Sequence, residues 1–149
     1  MQTITKEIVV GRPVSMVYNQ WTQFEDFPHF MEGVEEVVQR DDTHLHWQTE
    51  IGMVNREFDA EITDQVPDQH IAWRAIGETK HAGEVRFLPE GTDRTRVKLA
   101  MSYAPEGFVE KVGDMIGSQE RRIEGDLERF KSFIESQDFE TGAWRGEVH

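Results

Sequence analysis

Two periodicities divide the chain. Thr3 to Val10 is dense in β-branched residues and predicts a first strand. Gly11-Arg12-Pro13 interrupts it, and proline suits a first helical position because its missing N–H would be unpaired there. Val14, Val17, Tyr18 and Trp21 follow at helical spacing, so a short helix with one apolar face is expected. Phe24 to Met31 predicts a second short helix, with Pro28 near its first turn or breaking it. From Gly33 to Tyr103 the period becomes two. Leu45, Trp47, Thr49 and Ile51 alternate with His44, His46, Gln48 and Glu50; after a tight turn at Gly52-Met53, Val54, Arg56, Phe58, Ala60 and Ile62 alternate with polar residues. Pro67-Asp68 turns the chain into a strand beginning Ile71, Trp73, Ala75. His81, Gly83, Val85 and Phe87 share a face of the next strand. A hairpin loop at Pro89-Glu90-Gly91 leads to Thr95, Val97, Leu99, Met101 and Tyr103. Beyond Pro105 the period is helical again: Phe108, Val112, Ile116, Ile123, Leu127, Phe130 and Ile134 mark one stripe of a helix of roughly 25 residues or more.

Clean alternation with hairpin turns means an antiparallel sheet with one wet face. Its other face must be covered, and the C-terminal helix is the only element large enough. The expected architecture is α+β: a curved seven-stranded antiparallel sheet wrapped around a long C-terminal helix, with two short helices after the first strand closing one end. A curved sheet gripping one helix leaves an apolar cavity between them unless large side chains fill it. Residues 1–137 form a single domain in this reading, and 138–149 a polar C-terminal tail, loosely docked.

Composition narrows the partners. The 149 residues carry 16 Lys+Arg against 29 Asp+Glu, a net charge of −13. Nucleic-acid binding draws most of its non-specific affinity from clustered basic residues, so it is not expected, and anionic membrane surfaces are disfavoured for the same reason. No apolar run approaches the ~18 residues of a membrane span, and the first residues lack the layout of a secretory signal. Zero cysteines exclude disulfides, thiolate zinc sites and thiol nucleophiles and fit a cytoplasmic location. There is no Gly-x-Ser-x-Gly elbow, phosphate-cradling loop or dinucleotide fingerprint, so no cofactor is expected.

The segment from Pro13 through Trp21, followed by Phe24-Glu25-Asp26-Phe27-Pro28-His29-Phe30, resembles the polyketide cyclase/dehydrase branch of the START-like superfamily (SRPBCC, Bet v 1-like, helix-grip). Val66-Pro67-Asp68 before a strand and Glu124 through Phe130 on the last helix match as well, so the resemblance spans nearly the whole chain. It implies a hydrophobic ligand held between sheet and long helix, in a family whose members cyclise or dehydrate polyketides, carry lipids or bind ubiquinone. The aromatase/cyclase members place a pocket arginine two residues before the Pro-Asp turn, where this chain has Gln65, and a tyrosine where it has Val34. The family's pocket aromatics correspond to Phe27 and, less closely, Met31. The implied function is therefore binding or transport of a small hydrophobic molecule, such as a polyketide, isoprenoid quinone or lipid. A cyclase or dehydratase is the alternative, by resemblance only.

Candidate chemistry is sparse. Arg56 is in phase with Phe58, Ala60 and Ile62, which points it at the buried face. There it would hold a ligand carbonyl or carboxylate, unless it reaches water at a strand end or a bulge flips the face. Projecting back from Gln65 instead places Glu61 and Thr63 inside, and both phases stay open. His81, in phase with Val85 and Phe87, is either a general acid–base group or a satisfied core histidine. His44 and His46 share a strand face with Glu50, an incomplete metal set on the wet side, so no metal site is expected. Trp47, Trp73, Phe87, Met101 and Tyr103 read as core and, in this fold, equally as cavity lining. Met115, Ile116, Gln119 and Ile123 would supply the opposing wall. A protein-interaction module using the acidic face or the Trp144 tail is the third class; monomer and homodimer remain equally open.

Overall fold

Seven strands, β1 (Gln2–Val10), β2 (Val34–Gln39), β3 (His44–Ile51), β4 (Val54–Val66), β5 (His70–Ile76), β6 (His81–Pro89) and β7 (Thr95–Tyr103), form one antiparallel sheet ordered β1-β7-β6-β5-β4-β3-β2. The structure, a computed structural model, describes residues 2–51, 54–77, 81–103 and 112–148, with side chains over 3–50, 55–77, 81–102 and 120–148. The expected turn at Gly52-Met53 and the expected helical residue Phe108 lie outside the described residues.

β1 and β2 are consecutive in sequence yet stand at opposite edges of the sheet. The chain between them must cross its full width, and it does so as helix α1 (Val14–Trp21) and a 3₁₀ helix (Phe24–His29). Pro13 precedes α1 in an extended conformation (φ −60°, ψ 151°), a start that needs no N–H from it. Pro28 sits inside the 3₁₀ helix, and the segment stays six residues long. Helix α2 (Val112–Glu135) is 24 residues, about 36 Å at ~1.5 Å per residue. Ile123, Leu127, Phe130 and Ile134 form its buried stripe, as the spacing predicts.

Polar contacts on both flanks of α2 explain its placement. On one side Lys6 pairs with Glu124 at 2.9 Å, Lys131 Nζ donates to the Val9 carbonyl at 2.8 Å, and the Gly11 N–H donates to Glu135 at 2.6 Å. On the other, the Glu32 N–H donates to Asp126 at 2.9 Å and Arg129 Nε donates to the Phe30 carbonyl at 2.9 Å. The helix thus bridges β1 and the segment entering β2, closing the open side of the curled sheet. This is the helix-grip architecture.

β4 carries the one detail that alternation left undecided. Its register against β5 shifts between Ile62 and Asp64. Before the bulge, Ala60 and Ile62 are buried; after it, Gln65 is. Both phases are therefore realised, one on each side of Thr63, because an extra residue in one strand reverses which face the following side chains take.

The tail is docked rather than loose. Glu140 accepts from Asn19 at 2.9 Å, the Thr141 N–H donates to Gln20 Oε1 at 2.9 Å, and the Trp144 N–H donates to Thr22 at 3.1 Å. Arg145 pairs with Asp68 at 2.8 Å. Val148 then forms an isolated antiparallel bridge with Gln65, on the stretch of β4 that extends past the end of β3.

Candidate functional site

The concave face has two unlike halves. Around α1 and the C-terminal half of α2 an aromatic core interlocks. The Trp21 ring meets Phe130 at 4.8 Å, Phe27 at 5.7 Å and Phe87 at 6.2 Å, and Phe30 meets Phe130 at 5.1 Å. These edge-to-face arrangements suit the ring quadrupoles. Phe27 and Phe87, expected as lining, belong to this aromatic core, and Ile123 is buried beside it. Toward the other end, Phe58, Met101, Met31 and Val34 pack against the core while remaining partly exposed. The side chains of Tyr103, Met115, Ile116 and Gln119, expected to line the same space, lie outside the described residues.

That second half is organised by rings on β3 to β6. Trp47 on β3 and Phe58 on β4 are cross-strand partners, and their rings lie nearly parallel (7°) with centroids 5.9 Å apart. Phe58 meets His81 edge-on at 5.8 Å. Trp73 Nε1 donates to His81 Nε2 at 3.3 Å. An indole N–H only donates, so Nε2 is an acceptor and the neutral imidazole carries its proton on Nδ1. Burial disfavours the imidazolium and pushes the His81 pKa down to about 4. A base that weak at neutral pH acts poorly as a proton acceptor, but it remains a hydrogen-bond donor.

The same shift is a stability statement. The unfolded chain takes up a proton at His81 near 6.5, and the folded chain not until about 4. The contribution is therefore complete above 6.5 and is lost as pH falls toward 4. Between pH 7 and pH 5 the native protein is expected to lose about 2 kcal/mol that His81→Gln does not lose, as read from urea unfolding of both proteins. Equal losses in the two would refute a neutral buried His81.

Arg56 does not share this environment. It is exposed, beside an open polar groove of about 370 Å³ formed with Glu35, Gln48, Thr49, Glu50, Asn55 and Glu57 at one end of β2–β4. Phe58, two residues along the same face, is the β4 side chain that meets His81. The physical reason is depth: alternation assigns a face, while the strand end leaves that face open to water. On the convex side, His46 bonds Asp59 at 2.8 Å and His44 bonds Asp41 at 2.9 Å. Among the described residues no cluster of three potential metal ligands occurs.

Two further positions shape the concave face. Gln65 is 1% exposed, and its Nε2 donates to the Tyr18 hydroxyl at 3.0 Å. Gly83 stands opposite Trp73, whose ring occupies the place a side chain at 83 would take. A glycine inside an alternating strand near tryptophans was the available signal for the second.

A curled sheet closed by its C-terminal helix over a ring-lined concave face defines the helix-grip class of START-like folds. The chain belongs to the family described as polyketide cyclase/dehydrase and lipid transport, whose sequence profile matches residues 10–132. An uncharacterized 17.2 kDa protein in the melC2-rnhH intergenic region of Streptomyces lincolnensis is 52% identical over 149 residues, covering 99% of each chain. Among solved structures, the Zhui aromatase/cyclase from Streptomyces sp. R1128 is similar with a TM-score of 0.75, at 13% identity over 96% of this chain and 99% of that one. A START superfamily protein from Mycobacterium smegmatis gives 0.73, at 13% identity over 90% and 97%. At such identities the likeness establishes the fold. Among the described residues no helix is long and apolar enough to cross a membrane.

Proposed function

We propose that this protein binds and carries a small hydrophobic molecule of the polyketide, isoprenoid quinone or fatty acyl kind, between the concave sheet face and α2. The observation that carries this reading is a group of apolar side chains on the concave face that are only partly buried. Phe58, Met101, Met31 and Val34 are partly exposed near Trp47 and Trp73, next to a core of interlocking rings. Apolar side chains left partly open next to such a core favour an apolar guest, since burying them further gains roughly 25 cal/mol per Å². Family membership supports the same class of ligand. Binding is preferred over cyclisation because Gln65 stands where the resemblance implies the cyclase members' pocket arginine, and Arg56 is exposed at the strand end.

Native mass spectrometry of the full chain purified from its own host is expected to show a bound small molecule. Titration of the delipidated protein with candidate polyketides, naphthoquinones and fatty acids should then quench Trp47 and Trp73 fluorescence at micromolar concentration. A chain that emerges empty and responds to none of them refutes the proposal.

A further inference from the structure

Trp47 is 6% exposed, and its Nε1 is fully buried with no hydrogen-bond partner. A buried donor left unpaired costs about 1–3 kcal/mol, so such a group calls for an acceptor. Trp21 Nε1 is also unpaired, but its ring is surrounded by those of Phe27, Phe30, Phe87 and Phe130. Trp47 touches that core through Phe27, at 5.7 Å, but it also lies parallel to Phe58, which is only partly buried. The Trp73 N–H is taken up by His81 Nε2, which leaves the imidazole proton on Nδ1. The Trp47 indole N–H is therefore the donor that calls for an acceptor, and the rings offer a flat apolar surface. Lys6, the cation inward on β1, is paired with Glu124, and the net charge of −13 repels anions.

We propose, resting on the ligand-binding reading above, that Trp47 is the polar anchor of the site: its indole N–H donates to a carbonyl oxygen of an uncharged, planar, conjugated ligand lying along Trp47 and Phe58. A carbonyl satisfies the orphan donor without importing a proton that would need an acceptor of its own. A carboxylate would bring an unbalanced charge into the apolar interior, and a plain hydrocarbon would leave the N–H unpaired.

The test compares two probes of one shape, 2-methyl-1,4-naphthoquinone and 2-methylnaphthalene, titrated calorimetrically into the full chain. With zero cysteines the quinone meets no thiol to alkylate it. The quinone is expected to bind about 10-fold tighter, the equivalent of one hydrogen bond. Trp47→Phe, which keeps a ring at the position, should remove that preference and leave the hydrocarbon affinity within about twofold. In the unmutated protein, quinone should move the Trp47 indole proton resonance downfield and hydrocarbon should not, a readout that does not depend on the variant folding. Equal affinities with an unmoved resonance would overturn the anchor while leaving a hydrophobic site intact. Binding of neither probe would overturn the anchor, and the ligand-binding reading falls with it only if fatty acids fail to bind as well.

Discussion

Gly83→Ala is expected to destabilise the protein by about 1–3 kcal/mol, the usual cost of overpacking, and to lower Tm by about 3–10 °C for a chain of this size. The sign is diagnostic, because alanine in a strand interior ordinarily gains about 0.5–1 kcal/mol over glycine. Here an added Cβ would stand 2.4 Å from Trp73 Cζ2 and 2.6 Å from Cε2. The indole lies across the space above β6, and it cannot swing clear without breaking its bond to His81. In a Trp73→Leu background the same substitution should become neutral or mildly stabilising, a coupling that urea melts of the four proteins measure directly. Equal costs in both backgrounds would show that the ring is not the obstacle. Ligand titration of Gly83→Ala is expected to fail as well, since Trp73 and His81 move together.

Deleting residues 138–149 is expected to cost about 2–3 kcal/mol, or about 5–10 °C in Tm. The tail covers a polar row on and just after α1 that would otherwise face water: Asn19, Gln20 and Thr22 are 9%, 0% and 2% exposed. It also supplies the Val148 bridge to Gln65 and lays Arg145 over the Tyr18 ring, 5.6 Å from the centroid. Each hydrogen bond contributes about 1 kcal/mol net, and much of that offsets the entropy of ordering the segment. The tail should therefore open below the global unfolding free energy. Amide exchange at Gln65, whose N–H donates to the Val148 carbonyl at 2.8 Å, should be faster than at Val85 or Val97 in the intact chain. It should be unprotected in the truncated one. Unchanged melting and unchanged exchange would mean the segment contributes nothing to this end of the fold.

Much of this architecture is legible in the chain. The switch from period two to a helical stripe, and hairpin signals such as Pro89-Glu90-Gly91, specify seven strands and a long last helix. Local sterics and the burial of one face act at every residue of such elements. The site was legible only by face. Alternation correctly put Trp47, Phe58, Trp73 and His81 on the concave side, yet it put Arg56 there too, where the strand end leaves it exposed. It could not separate Phe87, sealed in the aromatic core, from Phe58, which is only partly buried.

Residue order alone sets the periods, the turns and the apolar stripe of α2, since each depends on neighbours a few positions away. The bulge at Thr63, the depth of each ring, the lowered pKa of His81 and the docking of Val148 on Gln65 are tertiary outcomes. Each arises where groups far apart in the chain compete for the same space, and packing, not periodicity, resolves that competition.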